Sequence, residues 1–216
     1  MTSGRLALVN EHDDATGLRE RKKRATRTAL SEAALRLAVE RGLDDVRVAD
    51  IAAAAGVSPR TMNNYFSSKE EAVVALGSDH LDELRSALAD RPAGEGAWTA
   101  LTQAILSLYP ADPDREWLAA ARLIRDEPSL QAARARTDAR IQDELAEAIR
   151  ARPGMAAADE ASQVAAMVAI SAVHLAVDRW LFTDANDTLP QVLARVLRTA
   201  GNPARLLDAE KSRNDN

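Results

Sequence analysis

The sequence predicts an all-α protein, and three observations carry that reading. Residues that lose little on entering a helix, chiefly Ala, Leu, Arg and Glu, dominate the chain, while aromatic residues make up only 3% of it. Apolar side chains recur three and four positions apart over most of its length, the period of a one-sided helix. Proline, glycine and Asp/Asn clusters fall between these stretches, where helices have to stop.

The first helix is expected from Arg19 to Arg41, because Leu30, Ala33, Ala34, Leu37 and Ala38 share one face and Gly42 stands where a C-terminal cap belongs. A short second helix follows from Val48 to Ala55, with Val48, Ile51, Ala52 and Ala55 on one side and Gly56 just past its end. Ser58-Pro59 opens a third, since Ser is a preferred cap and Pro is tolerated at the first helical position; it runs to Tyr65. Ser68 and Glu71 have the spacing of a capping box, starting a fourth helix that continues to Asp90. Beyond the Arg91-Pro92-Ala93-Gly94 loop, helices are placed at 96–109, 113–126, 129–151, 158–183 and 188–200.

These elements suggest four segments: a disordered arm over 1–18, a DNA-binding domain over 19–70, a ligand-binding and dimerisation domain over 71–205, and a flexible tail over 206–216. The polar N-terminus lacks the apolar core of a signal peptide, and the longest apolar stretch, Ala161 to Val177, is interrupted by Ser162, Gln163, Ser171 and His174. The reading is a cytoplasmic protein without a membrane segment. With no Cys, disulfides and thiol chemistry are excluded. His12, His80 and His174 are widely separated, so no nucleophile-and-base pair or metal cluster shows, and His80 beside Asp79, Asp82 and Glu83 reads as a solvated helix face. Neither a metal nor a cofactor is expected.

Net charge is −5, yet its distribution is uneven. From Arg19 to Lys69 eleven Lys and Arg stand against six Asp and Glu, so this part carries +5 and the remainder −10. A basic segment holding two short helices joined by a tight turn has the elements of a helix-turn-helix reader, in which the second helix enters the major groove while the first crosses the backbone.

At this point the run DIAAAAGVSPRTMNNYFSSKEEAV, Asp50 to Val73, resembles the DNA-binding signature of tetracycline-repressor-type regulators. The matching positions are Ile51, Ala52, Gly56-Val57-Ser58, Thr61, Tyr65-Phe66 and Lys69-Glu70, with Ala33, Ala34, Leu37 and Gly42 upstream. Three positions depart from the pattern: Asn63 replaces an aromatic residue, Ala38 a Phe, and Arg47 a capping Thr. Asn63 either loses a phosphate contact or gains a base contact, and Arg47 holds a phosphate instead of capping.

The resemblance implies a homodimer that binds double-stranded DNA and answers to a small-molecule effector of unknown identity. Arg60, Asn63 and Asn64 are suited to base edges; Thr61, Tyr65 and Lys69 match positions that grip phosphates, with Ser58 and Arg47 also placed in the DNA-binding set; Arg21, Lys22, Lys23, Arg24 and Arg27 form a basic arm able to follow the backbone or enter the minor groove. Phe66 is expected to pin the third helix to the first. In the family the last two helices pair with their copies, a role that here falls on the stripe Ala165, Ala169, Ala172 and Ala176 and on Leu189, Val192, Leu193, Val196 and Leu197. For the effector, Met167, Ser171, His174 and Asp178 lie on one face of the 158–183 helix, with Trp98, Trp117 and Arg122 as further candidates; the alternatives are a core His satisfied by its neighbours, plain core for Trp98, Tyr109, Trp117 and Trp180, and a surface salt bridge for Arg122. The resemblance points to a repressor released by its ligand. An all-α enzyme and a corepressor-dependent regulator of the same fold are the alternatives.

Overall fold

The computed structural model describes residues 7–152, 159–182 and 187–202, and among these every regular element is a helix. The expected tail over 206–216 and the first six residues of the expected arm lie outside the described residues. The chain divides into two compact units, Met1–Leu76 and Gly77–Asn216.

The first unit contains α1 (Ala7–Arg41), α2 (Val48–Ala54), α3 (Pro59–Tyr65) and α4 (Lys69–Val74). Helix α1 begins at Ala7 rather than near Arg19, so the part of the expected arm from Ala7 onward is helical. Adding a residue to an existing helix fixes one residue per hydrogen bond, without a new nucleus, and no proline intervenes. At the other end Gly42 has φ +83° and donates its N–H to Ala38 O at 3.0 Å, the left-handed stop its position predicts. Gly56, φ +69°, makes the turn between α2 and α3. Leu30, Ala34, Leu37 and Ala38 of α1 are buried with Ile51, Ala52, Met62, Phe66 and Val73, which closes a small core.

The single helix expected from Ser68 to Asp90 is two: α4 stops at Val74, and α5 runs Leu76–Ala89. Their apolar faces serve different cores. Ala72, Val73 and Val74 are buried in the first unit, whereas Leu81, Leu84 and Leu88 join the second core. The break falls at Ala75, two residues before Gly77 in the first turn of α5, whose lack of a side chain lowers helix propensity.

The second unit adds α6 (Ala97–Ser107), α7 (Arg115–Asp126), α8 (Pro128–Ala151), α9 (Asp159–Phe182) and α10 (Leu189–Ala200). Asp114 caps α7 by accepting from Trp117 N at 2.8 Å. At the start of α10, Thr188 N donates to Gln191 Oε1 at 2.7 Å. Arg152, 5% exposed, donates from its guanidinium to the carbonyls of Pro92 and Glu95, fastening the α5–α6 loop. Helix α9 packs against α7, α8 and α10. Its Ala166, Ala169, Ala172 and Ala176 are buried, and so are all five apolar residues of α10 named above. Of the stripe expected to meet a second subunit, Ala169, Ala172 and Ala176 are buried within the chain and Ala165 is half-buried, while the α10 face is buried throughout. Helix α9 is long and apolar enough by composition to cross a membrane, and 28% of its most apolar window is buried within the protein.

Trp98 ties α6 to α10 by donating from Nε1 to Leu197 O at 3.0 Å. Gly201, just past α10, leaves room for that indole: a Cβ there would lie 2.2 Å from Trp98 Nε1. Gly201→Ala is expected to lower the unfolding free energy by about 1–3 kcal/mol through overpacking. Gly94→Ala, where a Cβ meets nothing within 4 Å, should stay within about 0.5 kcal/mol of the parent protein. Urea denaturation of both variants measures the contrast.

Candidate nucleic-acid interface and a buried polar cluster

Helix α3 is short and two-faced. Ser58 accepts from Thr61 N at 3.1 Å and shares a hydrogen with Thr61 Oγ1 at 2.8 Å, so both hydroxyls are engaged in starting the helix. On the inner side Met62 is fully buried and Phe66 is 2% exposed. On the outer side Arg60, Asn63 and Asn64 are exposed, and among the described residues no side-chain hydrogen bond or ion pair holds them. A guanidinium and two primary amides thus stand on one face with their donors open.

Phe66 fixes α3 to α1, as its position predicts, with a partner that the periodicity did not reveal. The Arg27 guanidinium of α1 lies 4.4 Å from the Phe66 ring centroid and donates from Nη1 to Tyr65 O at 3.3 Å. Arg27, expected to touch a phosphate, is half-buried and faces inward. Tyr65 is half-buried too. Lys69 is half-buried, and its Nζ donates to Leu43 O at 2.7 Å and Val46 O at 3.0 Å, the carbonyls of the α1–α2 turn.

Arg47 has no side-chain acceptor and cannot cap α2. Its backbone N–H instead donates to Asp50 Oδ2 at 3.0 Å, leaving the guanidinium at the exposed start of the helix. Arg24 is exposed on α1 with Arg21, Lys22 and Lys23. The capping box at α4 is shifted by one residue: Ser68 Oγ accepts from Glu71 N, while the Glu71 carboxylate reaches Ser67 N at 2.8 Å and Ser67 Oγ at 2.7 Å. The start of α4 is thus occupied by a carboxylate of its own chain.

The effector face predicted on α9 does not stay together. Met167 and Ser171 are exposed on the outer side, whereas His174 is half-buried and lies with its Nδ1 3.5 Å from Asp138 Oδ2 of α8. Arg134, one turn earlier on α8, stands near both and is held by Gln131 Oε1 at 2.7 Å. Burial, reinforced by the Arg134 charge, depresses the imidazole to about 4, so it is neutral at physiological pH. Burial raises the Asp138 carboxyl to about 6, with Arg134 opposing that shift. The contact is a long one between a neutral ring and a carboxylate.

Asp178 is half-buried and acts on Arg125, which grips Asp126 through two bonds at 2.6 and 2.8 Å and stacks 4.3 Å from the Phe182 ring. Arg122 is exposed. Trp117 meets Trp180 edge-on at 6.1 Å, and Trp180 Nε1 donates to Asp187 O, so these indoles, like Trp98, brace helices. Desolvation pushes the Tyr109 hydroxyl up to about 12. Asp138 and Arg134 were missed in the sequence. Their four-residue spacing shows that they share a helix face, but nothing local says that this face meets His174.

A small core holding α3 across α2, with a row of open donors outward and a larger helical unit following it in the chain, defines a helix-turn-helix regulator. Residues 30–76 match the bacterial regulatory proteins of the tetR family, and residues 95–203 match the MftR C-terminal domain. The chain belongs to the tetracycline-repressor family of transcriptional regulators. It is 35% identical over 147 residues to the HTH-type transcriptional regulator TcmR of Streptomyces glaucescens, a match covering 64% of this chain and 65% of that one, just under two thirds of its length. It is 27% identical over 192 residues to the Mycobacterium tuberculosis protein assigned as the mycofactocin biosynthesis transcriptional regulator MftR, covering 88% and 95% of the two chains. Among solved structures, FadR of Thermus thermophilus, in complex with lauroyl-CoA, shares the fold with a TM-score of 0.55 at 23% identity, over 82% of this chain and 94% of that one.

The polar cluster yields a pH test. An Asp whose folded pKa is raised costs nothing below its unfolded value near 3.8, and the cost grows as pH rises towards about 6. Asp138→Asn is therefore expected to be more stable than the parent above pH 6, by about 1–2 kcal/mol after allowing for screening at a partly exposed carboxyl. That advantage should vanish near pH 4. Thermal melts of both proteins across this range check the sign.

Proposed function

We propose that the protein is a homodimeric, cytoplasmic transcriptional repressor that reads a near-palindromic operator and is released when a small molecule binds its larger part. In this reading the unit Met1–Leu76 carries the DNA-reading face, and the unit Gly77–Asn216 senses and dimerises. The observation that carries the reading is the outer face of α3, where Arg60, Asn63 and Asn64 are exposed above a fully buried Met62. Arg suits the O6 and N7 acceptors of guanine, and Asn the acceptor-donor pair of adenine. Arg47, Arg24 and the basic start of α1 supply the salt-sensitive backbone attraction.

A two-fold site needs a two-fold protein. Among the described residues, four of the five large apolar side chains that are strongly exposed, Val164, Met167, Leu175 and Phe182, lie on α9. Val164, Met167, Ser171 and Leu175 follow each other at three- and four-residue spacing, which makes one outward stripe. This stripe, rather than the alanines, is the surface for a second copy.

The family membership and the lauroyl-CoA held by FadR support an effector in the larger unit. His174 and Asp138 are its best polar anchors here: a desolvated carboxylate that costs stability is kept where function uses it, and the neutral imidazole can both donate and accept. Release follows if the ligand prefers a conformation that does not fit DNA, by a margin of several kcal/mol.

Selection of duplexes from a random pool is the direct experiment, and it should return an inverted repeat. Arg60→Ala is expected to cost about 1–3 kcal/mol and to relax preference at one base pair per half-site. Uniform weakening across all sequences would argue against a base contact. Leu175→Glu should convert the dimer to a monomer in light scattering and abolish tight binding to the repeat while leaving the fold intact by circular dichroism. A dimer that survives this change would place the interface elsewhere.

A further inference from the structure

One line of residues runs along α8 at helical spacing: Leu130, Arg134, Asp138, Ile141 and Leu145. Leu130, Ile141 and Leu145 are buried and apolar. Arg134 and Asp138 interrupt them with two charges, and both are half-buried. Across from Asp138, His174 of α9 stands between Ile170 and Val177, half-buried apolar residues one turn to either side that pack against the core. At this level the core gives way to a polar cluster with apolar walls.

The cluster does not satisfy its own groups. Among the described residues no hydrogen bond reaches the Asp138 carboxylate or the His174 ring, whose nearest atoms stand 3.5 Å apart, too far for a well-formed bond. Arg134 is turned to Gln131 Oε1 rather than to Asp138. A carboxylate drawn this far out of water costs stability unless a donor meets it. The two side chains keep 17% exposure at Asp138 and 28% at His174, which leaves a molecule from outside a way to reach them.

We infer that the effector is an uncharged molecule with an apolar body and a hydroxyl group, and that this hydroxyl donates to the Asp138 carboxylate. This rests on the effector reading above and gives that ligand its chemical class. An anionic ligand would stand against Asp138 where solvent screens the repulsion poorly. A cationic one would meet Arg134, one turn away on the same helix face. A wholly apolar ligand would seal the carboxylate from water and offer no donor in exchange. A hydroxyl supplies the donor that Asp138 lacks, and its lone pairs can accept from Arg134 or from an N–H of the His174 ring. Ile141, Ile170 and Val177 are the apolar surface for the body of the ligand.

Four molecules built on one ring test the class with the full-length protein and no DNA: phenol, toluene, benzoate and benzylammonium. Each is titrated while the imidazole signals are followed by NMR. The chain has three histidines, and the His174 signal is assigned by its loss in His174→Gln. Phenol should move this signal and bind on the order of tenfold more tightly than toluene, the effect of a hydrogen bond to a charged acceptor. It should also bind more tightly than either ion. In Asp138→Leu, which keeps a branched side chain without the acceptor, the advantage of phenol over toluene should disappear, whereas a change of packing alone would weaken both together. Asp138→Asn keeps a neutral acceptor of the same shape; it should give an intermediate ratio, and it decides the matter if Asp138→Leu does not fold. Preference for benzoate or benzylammonium at the His174 signal, equal binding of phenol and toluene, or an advantage of phenol that survives the loss of the carboxylate overturns the inference while leaving an effector site in place. If none of the four moves the His174 signal, the effector reading of this cluster fails and the ligand class falls with it.

Discussion

Close approach of helices through alanine is the constraint on which both units depend. With aromatics at 3% of the sequence, the space between helices is filled by aliphatic side chains and alanine. The first core closes on Ala33, Ala34, Ala38, Ala52, Ala72 and Ala75, and the second on Ala100, Ala104, Ala146, Ala166, Ala169, Ala172 and Ala176. Small residues bring backbones near one another, so packing density is reached with little side-chain volume and little rotamer entropy is lost. The cost is low tolerance for added atoms, as the indole of Trp98 against Gly201 shows.

That economy decides where the large apolar residues of α9 go. Its alanines face α8 and α10, so Val164, Met167 and Leu175 are left outside. An average taken around the helix shows only that it is apolar throughout. Which arc meets the chain's own helices is set by the volume each gap can hold, and the gap beside α10 is filled from the other side by Leu189, Val192, Leu193, Val196 and Leu197.

Charge placement follows a similar logic of satisfaction. Lys69, Arg27 and Arg152 each donate to backbone carbonyls at the end of a helix or in a loop. The exposed donors of α3 have no such task. In this protein a cation's position along a motif says less about its role than the carbonyls within its reach.

Local patterning along the chain was enough for the helical class, the turn glycines Gly42 and Gly56, the Ser58-Pro59 start of α3, the burial of Phe66 and the family. All of these rest on short-range rules: a period of 3.6, a cap at a fixed offset, a positive φ that favours glycine. Packing in three dimensions settled that α4 and α5 are separate helices, that Lys69 and Arg27 face inward, that His174 meets Asp138, and that α9 turns its alanines inward. Each of these depends on which distant backbone or side chain comes within a few ångströms. Sequence spacing fixes faces on one helix, but not the partner that a face meets.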